Sequence, residues 1–228
     1  MSDMRSHTSS QFEAEVQGLR RLVLEMGERC IDVLDLSLET FLSGGADAKR
    51  LAEIEALDKQ IDHDELEVDA SVLRSLALRQ PVAFDLRLLT ASLKLATDLE
   101  RIGDEAVNVS ERATEVTGMA RDRCKDEVRA LGEGAREMLK GAIEAFEDGD
   151  AKRAREVCAS DEAIDARYKA LTQSMFELVS AHPGDVRGAI AVMKVAKYLE
   201  RVADHATNVA EEVIFIVTGD DVRRSRRG

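Results

Sequence analysis

The two halves of the chain carry related sequences, and this duplication limits the possible folds more than any other feature. Residues 94–112 and 194–212 are identical at ten of nineteen positions, where ordinary composition would give roughly one or two. The segment 47–50, Asp-Ala-Lys-Arg, recurs as 150–153 at a slightly larger offset. A repeat of about a hundred residues predicts that both halves adopt the same unit of structure.

Each repeat is predicted to contain three long helices. Apolar residues recur at spacings of three and four, and the chain has 2 prolines, no tryptophan, 4% aromatic and 34% charged residues, as is typical of helical proteins. Glycine, proline and capping aspartate divide the chain into segments of about 10–43, 47–80, 82–117, 122–148, 150–182 and 185–218.

The predicted fold is all-α. Long amphipathic helices joined by short loops bury their apolar faces as antiparallel bundles. We therefore expect two three-helix bundles related by a pseudo-twofold axis, over residues 1–118 and 119–218. A disordered basic tail, 219–228, follows and carries Arg223, Arg224, Arg226 and Arg227.

Charge and cysteine content narrow the possible functions. The formal net charge of −13 disfavours nucleic-acid binding and direct contact with anionic lipid. Three widely spaced cysteines without a C-x-x-C pair indicate reduced thiols in a cytoplasmic protein. The longest apolar runs are shorter than a membrane-spanning helix requires. The sequence contains no glycine-rich phosphate loop, so nucleotide binding is not expected.

Acidic residues occur in pairs four positions apart, a spacing that stacks two side chains on one helical face. The pairs are Asp58 with Asp62, Glu100 with Asp104, Asp161 with Asp165, and Glu200 with Asp204. On a helical wheel Glu100 and Asp104 border the apolar stripe. If the second and third helices of each bundle present these faces together, four carboxylates meet.

Four carboxylates in one place predict a cation site. At about 5 Å and an effective dielectric constant near 20, each like-charged contact costs roughly 3 kcal/mol, which a bound multivalent cation would remove. Oxygen ligands favour Mg²⁺, Mn²⁺, Ca²⁺ or iron over a thiolate zinc site. The sequence does not identify the metal, which could be a divalent or trivalent ion of iron, manganese, magnesium or zinc. Asn108 and Asn208, one turn further on, are candidate additional ligands.

The opposite face of the third and sixth helices is basic and is predicted to face water. Its members are Arg87, Lys94, Arg101 and Arg112 in the third helix and Arg187, Lys194 and Arg201 in the sixth.

The best-preserved segments resemble the repeated signature of the PhoU family, bacterial regulators of phosphate signalling. Residues 98–109 read DLERIGDEAVNV and residues 198–209 read YLERVADHATNV. The resemblance, which covers nearly the whole chain, implies two three-helix bundles, metal held by the Glu/Asp-x-x-x-Asp motifs, and a homodimer. It also implies a non-enzymatic adaptor between the ATPase of the phosphate ABC transporter and a sensor histidine kinase, restraining the phosphate-starvation response. Membrane association would then occur only through these partners.

One position departs from the family pattern. Many members have His directly after the motif aspartate; this chain keeps His205 but has Glu105 in the first repeat. The helical wheel places Glu105 towards the basic face, so we expect it at the surface.

Two other functions fit the residues. One is an oxidoreductase with a carboxylate-bridged metal pair, although the chain lacks the Glu-x-x-His motif of ferritin-like enzymes. The other is a metal-free structural adaptor.

Overall fold

A computed structural model describes residues 3–45, 47–116 and 118–222, with side chains from Ser10 onwards. Within these ranges the protein consists of helices and connecting turns, without strands. The six long helices are α1 (Asp3–Ser43), α2 (Ala48–Arg79), α3 (Ala83–Glu111), α4 (Gly118–Asp148), α5 (Ala151–Ala181) and α6 (Val186–Thr218). The predicted all-α fold is confirmed.

The helix ends follow local capping rules, with one difference from the prediction. The Asp47 carboxylate accepts from the Arg50 amide at 2.7 Å, and Asp150 caps α5 in the same way. Gly219 closes α6 with a φ of 82°. The third helix ends at Glu111, about six residues earlier than predicted, and a 3₁₀ turn follows over Arg112–Thr114. The β-branched residues at 114, 116 and 117 disfavour a longer helix.

The helices form two bundles of three. In the first, α1, α2 and α3 pack against one another, and α4, α5 and α6 do the same in the second. The bundles meet through α1 against α4 and α3 against α6. Among the described residues, α2 and α5 contact only helices of their own bundle. Buried apolar side chains of all six helices form one continuous core. The two outer helices, α2 and α5, together carry four of the eight predicted carboxylates.

Two glycines shape the contact between α1 and α4. A Cβ on Gly132 would lie 2.7 Å from a methyl group of Leu38, and a Cβ on Gly27 would overlap the Ile143 side chain. Leu38 and Gly27 lie on α1, and Ile143 and Gly132 on α4. Each helix therefore inserts one branched side chain over a glycine of the other, an arrangement that obeys the pseudo-twofold symmetry.

The basic face of α3 lies partly against α6. Lys94 is exposed, as predicted, although its Nζ lies 3.2 Å from Oε1 of Glu212, which is only 2% exposed. The prediction that the face lies in water is wrong at Arg87, which is half-buried. Arg87 Nε donates to the Ile216 carbonyl at 3.2 Å. A helical wheel of one helix does not show which other helix covers its polar side. Here the association of the two bundles partly covers Arg87.

Glu105 is likewise buried, not exposed as predicted. It is 7% exposed, and its Oε1 accepts from Arg201 Nη1 at 2.8 Å. Across the same α3–α6 contact, Asp98 Oδ1 lies 2.8 Å from His205 Nδ1. In both pairs α3 supplies the acid and α6 the base. A histidine at position 105 would face Arg201 without such an ion pair.

Three remaining predictions concern the tail, the cysteines and the membrane. Of the tail, only 219–222 lie within the described residues, where Val222 packs against the core; the four arginines lie outside them. All three cysteines are free, and burial raises the pKa of the Cys30 and Cys124 thiols. In the described ranges no helix is long and apolar enough to cross a bilayer.

Candidate metal site

The first candidate site lies along the contact between α2 and α3. Asp58 and Glu100 are half-buried, whereas Asp62 and Asp104 are exposed. Gly103 allows the two helices to approach closely: a Cβ there would lie 3.2 Å from Ile61 Cδ1 and 3.5 Å from Asp58 Oδ1. The absence of a side chain at Gly103 therefore places the Asp58 carboxylate directly against the backbone of α3.

The carboxylates of α2 and α3 affect one another electrostatically. Burial raises the pKa of Asp58, and the charges of Asp62 and Asp104 raise it further. Burial also raises the pKa of Glu100, as do Asp104, Glu65 and Asp62, while Arg101 lowers it. Carboxylates of α2 and α3 therefore lie close enough to act on one another's charge.

The second candidate site repeats this arrangement between α5 and α6. Glu200 is buried, Asp161 and Asp165 are half-buried, and Asp204 is exposed. Burial, then the charges of Glu200 and Asp161, raise the pKa of Asp204 to about 6, against the opposing effect of Lys197. All four carboxylates predicted for each site thus lie in one neighbourhood.

The donor chemistry of both sites suits a hard cation, since the carboxylates supply only oxygen ligands. In the part of the chain that the structure describes, however, no three Asp, Glu, His or Cys side chains converge on a point that can hold a metal ion. The carboxylates instead contact cations of the protein: Arg101 Nε lies 3.4 Å from Glu100, and Lys197 pairs with Glu200. Metal ligation by the eight residues stays a prediction and requires changes in side-chain rotamer.

Several residues at these sites were not identified from the sequence. Asp98 accepts from both His205 and Asn208, the latter at 3.0 Å, so Asn208 is engaged between the bundles. Lys197 contacts the second site directly, and Thr97 donates to Glu65 at 3.0 Å beside the first. Positions 97 and 197 are one of nine differences between the segments 94–112 and 194–212, so the sequence alone did not single them out.

The raised pKa of Asp204 predicts a pH-dependent stability of the metal-free protein. With a folded pKa of about 6 against an ordinary 3.8, this carboxyl contributes stability that is present below about pH 4 and lost as the pH rises through 6. Because Asp204 is exposed, solvent screening reduces the effect to about 1 kcal/mol. Urea denaturation in chelator at about pH 4.5 and about pH 7.5 measures this effect. Between these two pH values, the free energy of unfolding should fall less in Asp204→Asn than in the wild type.

Asp150→Asn provides a control of opposite sign. Hydrogen bonds from the Arg153 and Lys152 amides lower the pKa of Asp150, so its contribution is lost as the pH falls. An unchanged pH profile in Asp204→Asn would contradict the environment described for this carboxyl.

Comparison with known proteins places this architecture in one family. The family model described as "PhoU domain" matches residues 23–113 and again 128–213. The phosphate-specific transport system accessory protein PhoU homologue of Pseudomonas putida is 35% identical over 95% of this chain and 84% of its own length. The homologue from Pseudomonas aeruginosa is 34% identical, over 95% and 89%.

Solved structures of PhoU proteins have the same fold as this chain. The crystal structure of PhoU from Pseudomonas aeruginosa superposes with a TM-score of 0.84 at 31% identity, covering 92% of this chain and all of the other. The phosphate transport system regulatory protein PhoU from Streptococcus pneumoniae, at 24% identity, shares the fold with a TM-score of 0.83 over 92% and 98%. With two matching domains, full-length relatives above 30% identity and the same six-helix fold, the chain belongs to the PhoU family.

Proposed function

We propose that this protein is a non-enzymatic, metal-binding regulator of phosphate uptake and of the phosphate-starvation response. In this proposal it acts in the cytoplasm as an adaptor between the phosphate ABC transporter and its sensor histidine kinase, as a negative regulator. The metal-binding part is supported by carboxylates on two neighbouring helices that raise one another's pKa, an arrangement found twice in one chain. Membership of the PhoU family supports the phosphate-related part.

Each site has a defined ligand set under this proposal. Asp58 and Asp62 of α2 with Glu100 and Asp104 of α3 would hold the first cation. The second would be held by Asp161, Asp165, Glu200 and Asp204. A bound multivalent cation would neutralise the like charges that raise the pKa of these carboxylates. The protein's own contribution is to hold α2 against α3, and α5 against α6, at the close spacing that Gly103 permits in the first site.

The names of the relatives support the adaptor role. The homologues are phosphate-specific transport system accessory proteins, and the Streptococcus pneumoniae structure is a phosphate transport system regulatory protein. The exposed faces of α2 and α5 suit such a role, since these helices contact only their own bundle. Their exposed apolar side chains, Leu66, Leu73 and Phe176, are available to protein partners. A homodimer forms part of the same proposal.

A deletion strain carrying a phosphate-responsive reporter tests the regulatory role. We expect deletion to raise reporter output in phosphate-rich medium by an order of magnitude or more, and wild-type protein to restore repression. Pull-down with the cognate transporter ATPase and the sensor kinase should recover both. Normal repression in the deletion strain would refute the regulatory role, and failure to recover either partner would refute the adaptor mechanism.

A further inference from the structure

Each repeat carries an apolar patch beside its candidate site. The patch lies on the second and third helices of the bundle, next to the turn that joins them. Corresponding positions are 103 residues apart between α2 and α5, and 100 residues apart between α3 and α6. The first patch consists of Leu73, Leu76, Leu86 and Leu93, and the second of Phe176, Val179, Val186 and Met193.

Helix geometry makes each patch continuous with the neighbouring carboxylates. Leu86, Leu93 and Glu100 are spaced by seven residues and therefore share one face of α3. Leu76 lies about three turns after Glu65 on α2, and the Glu65 carboxylate accepts a hydrogen bond from α3 at 3.0 Å. The two helices thus form one groove, which is apolar near their turn and acidic further along. The same spacing of seven recurs on α6.

Both grooves open on the same side of the molecule. Around the axis of α3, Gly103 points to α2 and Asp98 points to α6. Glu100 lies between these two directions, while the buried Ile102 lies in the opposite sector. The pseudo-twofold relation places Glu200 on α6 in the same way. The helices α2, α3, α6 and α5 therefore form one layer, and its outer surface carries both patches.

The two patches have the same polarity although their sequences differ. No position of the patch has the same residue in both repeats, yet all eight side chains are apolar. Leu73 and its counterpart Phe176 are 63% and 56% exposed, and Leu86 and Val186 are 41% and 44% exposed. The other two pairs are half-buried and pack against the core, which explains their polarity. The two exposed pairs need another reason.

Exposed apolar side chains are not generally kept between the repeats. The counterpart of Leu66 is Lys169, and the counterpart of Leu78, which is 67% exposed, is Ala181. Clustered apolar side chains are unfavourable in water and mark surfaces that another molecule covers. The two exposed pairs therefore indicate a docking surface in each repeat.

The charge of this layer favours a basic partner over a second copy of the chain. Residues 58–69 and 97–104 contain nine acidic and two basic side chains, and the corresponding residues 161–172 and 197–204 contain five and four. Both grooves are therefore net negative. Two copies pressed together at this layer would repel each other, whereas a partner with basic side chains would be attracted.

We propose that the two grooves are twin docking sites for a homodimeric protein, each subunit of which lays one amphipathic helix along one groove. This inference deepens the proposed adaptor role and rests on it. The apolar side of such a helix covers the patch, and its basic residues lie beside the carboxylates. The pseudo-twofold axis of the chain coincides with the twofold axis of the partner, so one chain engages both subunits at once.

Binding of the full-length, metal-free chain to the purified cognate transporter ATPase and to the solubilised sensor kinase tests this arrangement. We expect sedimentation to show one chain for every two subunits of the partner that binds. Leu73→Ser with Leu86→Ser removes the first patch, and Phe176→Ser with Val186→Ser removes the second. Each double variant should weaken binding about a hundredfold, because losing one of two linked contacts removes avidity. The fourfold variant should not bind.

Leu78→Ser is the matched control for the patch variants. Leu78 is as exposed as Leu73 and lies on the same helix, but on a different side of it and outside the patch. This change should leave binding unaltered. Exposed substitutions of this kind change stability little, so all variants should keep the melting curve of the wild type.

The contrary results separate this inference from the adaptor role. Patch variants that bind the partner as the wild type does would refute the docking sites and leave the adaptor role intact. A loss of binding in Leu78→Ser as large as in the patch variants would refute them as well. A stoichiometry of one chain per partner subunit would overturn the twofold arrangement. Dissociation of the chain's own oligomer in the patch variants would show that a second copy covers the patches. A folded wild type that binds neither protein would refute the adaptor role itself.

Discussion

Replacing Gly27 and Gly132 together by valine is expected to lower the free energy of unfolding by about 4 kcal/mol. Both glycines lie under a branched side chain of the opposite bundle, Ile143 over Gly27 and Leu38 over Gly132. A valine at either position overlaps that side chain, and the contact between α1 and α4 has to open. The small gain in helix propensity from removing glycine offsets only part of this loss. Urea denaturation followed by circular dichroism measures the change.

Gly18→Val is the matched control for this substitution. Gly18 lies on α1 as well, but a Cβ there meets nothing within 4 Å, so the change should be neutral or slightly stabilising. Shortening the opposing side chain provides a second check: Ile143→Ala combined with Gly27→Val should cost less than the sum of the two single changes. Additive costs would show that Gly27 and Ile143 do not meet across the bundle contact.

Changing Glu100 and Glu200 to glutamine and Asp104 and Asp204 to asparagine is expected to abolish metal-dependent stabilisation. At a metal concentration of a hundred times the dissociation constant, each occupied site stabilises the wild type by about 2.7 kcal/mol. The fourfold variant should show no such increase and only background metal by elemental analysis. In chelator, however, it should be at least as stable as the wild type, because neutral amides remove the repulsion between α2 and α3 and between α5 and α6.

The two halves of this variant act as internal controls. Glu100→Gln with Asp104→Asn alone should lower the metal content of fully loaded protein by about half, since the second site is intact. Unchanged metal content in this double variant would place the metal elsewhere. Lower stability of the fourfold variant in chelator would show that these carboxylates stabilise the fold through ion pairs such as Arg101 with Glu100, rather than repelling one another.

The carboxylate pairs could be found without a structure because their geometry is local. Spacing of four residues places Glu100 above Asp104 on any helix, and the duplication distinguishes this pair from a coincidental one. The end of α3 was less predictable. Residues 114–117 have weak helix propensity, and Gly118, a residue type that often ends a helix, here begins α4. Boundaries depend on small energies that neighbouring contacts readily reverse.

The surroundings of the sites could not be predicted in the same way. Glu105 was expected in water and is buried against Arg201, and Arg87, also expected in water, is half-buried and donates to the Ile216 carbonyl of α6. Both errors have one cause: a helical wheel describes one helix, and the polar sides of α3 and α6 are covered only when the two bundles associate. The pairing of Lys197 with Glu200, three residues further along α6, is local, but the contact of Lys197 with Tyr168 depends on how α5 packs against α6.

By itself, the sequence determined the helical class, the duplication and the identity of the eight carboxylates, because these follow from composition, spacing and local hydrogen bonding. Only the tertiary structure decided what those carboxylates face. It sets Asp58 against the backbone at Gly103, Lys197 over the ring of Tyr168, and Gly27 beneath Ile143. Such contacts join residues that are far apart in the chain. They arise from the packing of whole helices, which balances shape and charge over both bundles at once.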